Sequence, residues 1–111
     1  MVVDDDEEIR NTIGDILEDE GHEAIKVANG REALAFLRGH APPCLVLLDL
    51  MMPIMDGWEV LRELERDPEL AKIPVVVISA GGTQLGNRKA DRLLRKPLKI
   101  EHLLDAVETY C

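Results

Sequence analysis

Asp4, Asp5, Asp49, Ser79 and Lys96 each follow a short apolar or mixed segment: Val2-Val3, Cys44 to Leu48, Val75 to Ile78, and Arg92 to Arg95. In an open parallel sheet, ligands bind beyond the carboxyl ends of the strands where the winding reverses, so these five residues are expected to share one pocket. Three carboxylates within about 5 Å repel one another by a few kcal/mol per pair at an effective dielectric near 20, a cost that a divalent cation removes. An all-oxygen donor set without a protein cage suits Mg²⁺, or Mn²⁺ with the same preference. With the cation in place, one carboxylate can attack phosphorus, because phosphoryl transfer needs mainly in-line positioning and neutralised charge. Asp49, at the end of the most apolar run, is the expected nucleophile. Asp4 and Asp5 are adjacent and point in different directions, one bonding the metal directly and the other through water. Lys96 offers a positive charge to a phosphoryl oxygen, Ser79 a hydroxyl, and the amides of Met51 and Ala80 further donors.

Singly these residues prove little. An Asp-Asp pair is more often a solvated loop or a helix cap, Asp56-Gly57 alone is turn chemistry, Lys96-Pro97 is compatible with a surface dipeptide, and Ser79 with a strand-end cap. The order carries the weight: acids after the first strand, an acid after the third, a hydroxyl after the fourth and Lys-Pro after the fifth.

The elements that must hold these residues are legible in the pattern. Ile9, Ile13, Ile16 and Leu17 recur at helical spacing up to Gly21. Ala24 to Ala28 reads as a short strand, and Asn29-Gly30 caps a helix with Ala33, Leu34 and Leu37 inward, stopped by Gly39. Cys44 to Leu48 is apolar throughout, as a parallel strand covered on both faces should be. Asp56-Gly57 opens a helix with Val60, Leu61 and Leu64 inward and two expected surface pairs, Glu59 with Arg62 and Glu63 with Arg66. Val75 to Ile78 and Arg92 to Arg95 supply two more strands, and Ile100, Leu103, Leu104 and Val107 mark a last helix. Five strands alternating with helices predict a three-layer, doubly wound α/β fold. Only 16 residues separate Ser79 from Lys96, with Leu85 and Ala90 the only core candidates between Gln84 and Asp91, so a fourth helix there is expected to be short or frayed.

At 111 residues the chain accommodates one domain, 1–111, and 46% hydrophobic with 32% charged residues is a globular balance. A net charge of -9 disfavours direct nucleic-acid or anionic-membrane binding. The longest apolar run is far short of the roughly 18 residues that span a bilayer, and no basic-then-apolar signal pattern opens the chain, so a soluble cytoplasmic protein is expected. Cys44 and Cys111 show no metal-like spacing and are expected to be reduced thiols; His22, His40 and His102 are too scattered for a zinc site. Residues 1–23 hold ten acids and one base, while 88–99 hold six bases and one acid. That asymmetry reads as solvated faces or as a docking surface for an acidic partner or a second copy.

The order of motifs resembles the receiver domains of two-component response regulators over nearly the whole chain. Val2-Val3-Asp4-Asp5-Asp6 is similar to the family's acidic metal pocket, and Leu48 through Gly57 to its phosphoacceptor loop. Ile78-Ser79-Ala80 resembles its hydroxyl switch, and Arg95-Lys96-Pro97-Leu98 its lysine segment. The resemblance implies a flavodoxin-like (βα)5 sheet of strand order 2-1-3-4-5. It also implies Mg²⁺ held by Asp5, Asp49 and the Met51 carbonyl, with Asp4 beside them, a cis proline after Lys96, and phosphate received by Asp49. The implied partners are a sensor histidine kinase or a histidine phosphotransfer protein, and an output domain or effector, with a homodimer through the side of strands four and five and the last helix as a further option. The family usually carries an aromatic residue three positions before its lysine; Leu93 stands there, and the segment from Ser79 to Lys96 is shorter than usual. Both departures lie on the output side, so the switch formed by Ser79 and Leu93 is expected to be weak. Two other functions are weighed against this one: a phosphorylation-independent interaction module of the same fold, and a hydrolase working through an aspartyl phosphate. The hydrolase is weakest, for want of a substrate pocket and a general acid or base, and the chain is expected not to be an enzyme. It reads either as a stand-alone domain or as part of a larger regulator or hybrid kinase.

Overall fold

The computed structural model describes residues 1–80 and 90–111. Along the chain run β1 (Val2–Val3), α1 (Glu7–Asp19), β2 (Lys26–Val27), α2 (Gly30–Gly39), β3 (Val46–Asp49), α3 (Gly57–Arg66), a 3-10 turn (Leu70–Lys72), β4 (Val75–Ser79), β5 (Arg92–Arg95) and α4 (Ile100–Tyr110). The five strands form one sheet in the order β2-β1-β3-β4-β5, with every neighbouring pair parallel. The expected doubly wound topology is therefore present.

Period-two alternation along the strands sorts the core into two layers. Val3, Val46, Leu48, Val75 and Val77 pack under α2 and α3, against Ala33, Leu34, Leu37, Val60, Leu61 and Leu64. Val2, Leu45, Leu47, Val76, Ile78 and Leu94 pack under α1 and α4, against Ile13, Leu17, Leu103, Ala106 and Val107. Helix starts follow the sequence signals. Asp6 accepts from the amides of Glu8 and Ile9 at 3.0 and 3.2 Å, Asn29 from Glu32 at 3.0 Å, and Asp56 from Glu59 at 2.9 Å. Gly21, with φ of 86°, supplies the left-handed turn that ends the α1 region.

The structure corrects the sequence reading in four places. Cys44 and Cys111 are joined by a disulfide, with Cα atoms 5.4 Å apart, rather than being reduced thiols. β3 begins only at Val46, so Cys44 lies outside the strand, and α4 returns along the sheet to bring Cys111 beside it. β2 is shorter than Ala24 to Ala28, since only Lys26 and Val27 pair with β1. Glu59 and Arg62 form no ion pair; Glu63 instead meets both Arg66 and Arg38 at 3.4 Å, because α2 lies alongside α3. The expected short fourth helix, Leu85 and the basic residues Arg88 and Lys89 lie outside the described residues. Of the remaining bases in that segment, Arg92 is engaged within the chain, 2.8 Å from Asp105 and over the Tyr110 ring. That interaction leaves Arg92 less available for docking than its charge alone implies.

Candidate functional site

Asp4, Asp49 and Lys96 follow Val2, Leu47 and Leu94 by two residues, so strand alternation sends all three toward the α1/α4 side of the sheet. Oxygens of Asp4, Asp5 and Asp49 lie within 4.8 Å of one another. Asp4 and Asp49 are buried, at 2% and 4% exposure, while Asp5 is open to solvent. The Lys96 ammonium stands 3.7 Å from Asp49 Oδ1 and 3.9 Å from Asp4 Oδ2. It is held there at the end of β5, where the Lys96 amide donates to the Ser79 carbonyl at 2.8 Å and the Lys96-Pro97 bond is cis.

Two carboxylates and one ammonium do not balance. Burial pushes the Asp49 carboxyl up to about 6, the Asp4 charge adds to the rise, and Lys96 and the Met51 amide oppose it. Burial likewise raises Asp4, against the Asp6 amide and Lys96. Asp4 Oδ1 accepts from the Asp6 amide at 2.9 Å, but Asp4 Oδ2 is buried without a hydrogen-bond partner among the described residues. An orphaned carboxylate oxygen beside two further carboxylates, with no nitrogen or sulfur donor in the group, fits a hard divalent cation of the Mg²⁺ type.

The loop after Asp49 is built to sit close. Met51 donates its amide to Asp49 Oδ1 at 3.3 Å, and the Gly57 amide returns to the Leu50 carbonyl at 2.9 Å. A Cβ at Gly57 would lie 2.6 Å from Leu50 Cα and 2.7 Å from the Asp49 carbonyl oxygen, so only glycine lets α3 start here. Ile54 holds φ of 71° while two thirds exposed, a left-handed conformation that costs a β-branched residue.

Ser79 is buried at the end of β4 with Ala80 directly after it. Ser79 follows Val77 on the α2/α3 side, and Val77 pairs with Leu93, which is half-buried against that same layer. The structure thus brings Asp4, Asp5, Asp49 and Lys96 together, and sets Ser79 and Leu93 on the opposite face of the sheet, with Ser79 one residue past Ile78, the cross-strand partner of Asp49. Sequence reasoning missed Arg10, the single base among the first 23 residues. Its guanidinium donates to the Asp4 carbonyl at 2.8 Å and so fixes the backbone of the acidic pair. The isolated base in an acidic run was the available signal.

Comparison with known proteins agrees with this fold. The family model described as "Response regulator receiver domain" matches residues 1–108. The polar-differentiation response regulator DivK of Brucella anthropi is 30% identical, with 99% of this chain aligned to 93% of that protein. The receiver domain of NtrX from Brucella abortus superposes with a TM-score of 0.87 at 34% identity, covering 98% of this chain and 94% of that one. A cyanobacterial phytochrome response regulator, RcpA, solved in its phosphorylated form, superposes at 0.81 with 31% identity over 97% of this chain and 86% of that one.

Proposed function

The chain belongs to the response regulator receiver domains of two-component signalling, and from that membership we propose that Asp49 is the phosphoacceptor. The carrying observation is the Lys96 ammonium 3.7 Å from a buried Asp49 whose neighbours Asp4 and Asp5 complete an oxygen cluster. The donor is a phosphohistidine on a sensor kinase or a histidine phosphotransfer protein. An Asp49 carboxylate oxygen attacks phosphorus, the phosphorus–nitrogen bond breaks, and the imidazole leaves with the electron pair and takes up a proton. Asp4, Asp5, Asp49 and the Met51 carbonyl would hold Mg²⁺, whose charge neutralises the carboxylates and the incoming phosphoryl oxygens. Lys96 pairs with a phosphoryl oxygen once the Asp49 charge is esterified, and the Ser79 hydroxyl and the amides of Met51 and Ala80 donate to the others.

The output is a change in the surface offered to an effector or output domain, or to a second copy through the β4, β5 and α4 side. We read the domain as a cytoplasmic switch that is phosphorylated and slowly loses its phosphate, and not as a turnover enzyme. Among the described residues no helix is long and apolar enough to cross a membrane. Leu93 in place of an aromatic residue favours a damped response and keeps a phosphorylation-independent docking module as the second reading. Incubation with Mg²⁺ and acetyl phosphate followed by intact-mass measurement separates the two. One added phosphoryl group that is absent in Asp49→Asn supports the switch. An unchanged mass supports the docking module, and continuous release of phosphate at a high rate points to a hydrolase.

A further inference from the structure

Cys44 and Cys111 are the only cysteines in the chain, stand 67 residues apart in sequence, and meet at the opposite end of the sheet from the acidic cluster. Both residues are exposed. Both also line one cleft of about 460 Å³, walled by Phe36, His40, Pro42 and Pro43 among others, which gives a small molecule a path to the sulfurs. The bridge has a definite mechanical position. Cys44 precedes β3, the strand that ends in Asp49, and Cys111 follows α4, the helix entered just after Lys96. It therefore fastens the start of the strand that carries the acceptor to the far end of the helix that follows the ammonium. A bridge buried in the core is inert, whereas an exposed one undergoes thiol–disulfide exchange.

We propose that Cys44 and Cys111 form a thiol–disulfide exchange site for a low-molecular-weight disulfide of the glutathione type, and that its closure clamps α4 to the start of β3. The chemistry balances with that oxidant. One protein thiolate attacks a glutathione disulfide sulfur and expels a glutathione thiolate. The second protein thiolate then attacks the protein-side sulfur of the mixed disulfide and expels the other. Two electrons pass from the protein dithiol to one glutathione disulfide, and the two thiol protons go to solvent or to the released thiolates. In a reducing pool the same steps run backwards and open the clamp.

Because the bridge closes a 67-residue separation, opening it restores much chain freedom to the unfolded state, and the melting temperature should fall by roughly ten degrees or more. The test equilibrates the full chain in graded mixtures of reduced and oxidised glutathione, blocks free thiols with a maleimide, and reads intact mass and thermal melting together. The expected result is a monomer with no free thiol in oxidising mixtures, which returns to two free thiols as the ratio is reversed, with the melting shift following the fraction bridged. Cys44→Ser and Cys111→Ser should each lose the shift and carry one glutathione instead. Glutathione on both cysteines without an internal bridge, bridging only between chains, a bridge that resists every reducing mixture, or a bridge that leaves melting unchanged would each overturn the proposal.

Discussion

The Leu47–Val76 rung and the Asp49–Ile78 rung belong to the same pair of strands, two residues apart, and obey opposite physics. Leu47 and Val76 are buried among apolar side chains on both strands and under two helices, so every group there gains from leaving water. Two residues on, β3 buries the Asp49 carboxylate beside that of Asp4, with Asp4 Oδ2 unpartnered and Lys96 the one compensating cation among the described residues. Burial that stabilises Leu47 on the first rung destabilises the Asp49 carboxylate on the second. The middle of the sheet thus holds the fold, and its acidic end is poised to gain from an incoming cation or phosphoryl group.

The largest effect expected lies on the apolar side. Leu47→Ala removes a core side chain that strand and helix neighbours cannot collapse around, and denaturant unfolding should show a loss of about 3 kcal/mol, with the Mg²⁺ response of the folded protein retained. A loss below about 1 kcal/mol would break the contrast between the two rungs.

The next prediction concerns pH. Asp49 in the folded chain holds its proton up to about 6, well above the ordinary 3.8, so between those values the native state binds more protons than the unfolded one. Metal-free stability must then fall as pH rises through that window. Bringing the protein from pH 7 to pH 5 should add about 1.4 kcal/mol from this group alone, and the upward shift of Asp4 acts in the same direction. Saturating Mg²⁺ should flatten or invert the trend, since the cation competes with the proton. Unfolding curves at both pH values, with chelator and with Mg²⁺, check the sign.

How much of this contrast was legible beforehand follows from what is local. Cys44 to Leu48 and Val75 to Ile78 announce buried parallel strands in one dimension, and the acids, hydroxyl and lysine at their ends inherit their positions from the sheet. The strand order and the cis bond before Pro97 came with the family resemblance. Contacts between distant segments were not legible: the Cys44–Cys111 bridge, the reach of Arg10 to the Asp4 carbonyl, and Glu63 turning to Arg38 all depend on how helices lie against one another. The unpartnered oxygen of Asp4 was equally invisible, because the sequence names the acid but not which of its oxygens the Asp6 amide satisfies.

A smaller effect tests whether backbone strain also concentrates at this end. Ile54 is exposed, so Ile54→Asn loses little packing and places a residue that tolerates a left-handed φ where a β-branched one now stands. Thermal unfolding should show a gain of about 1 kcal/mol. Destabilisation would mean that the Ile54 side chain makes contacts outweighing its conformational cost.

The most direct test of the central claim, that the acidic end of the sheet is held at a cost which a cation relieves, is the unfolding free energy at pH 7 of the parent chain and Asp49→Asn, each with chelator and with Mg²⁺. Without metal, Asp49→Asn should be the more stable by about 1 to 2 kcal/mol, since it removes a buried charge facing Asp4. With Mg²⁺ at about ten times its Kd, the parent should gain about 1.4 kcal/mol and the variant clearly less, narrowing or reversing the gap. A variant less stable than the parent in chelator, or one that gains as much from Mg²⁺, would contradict the account.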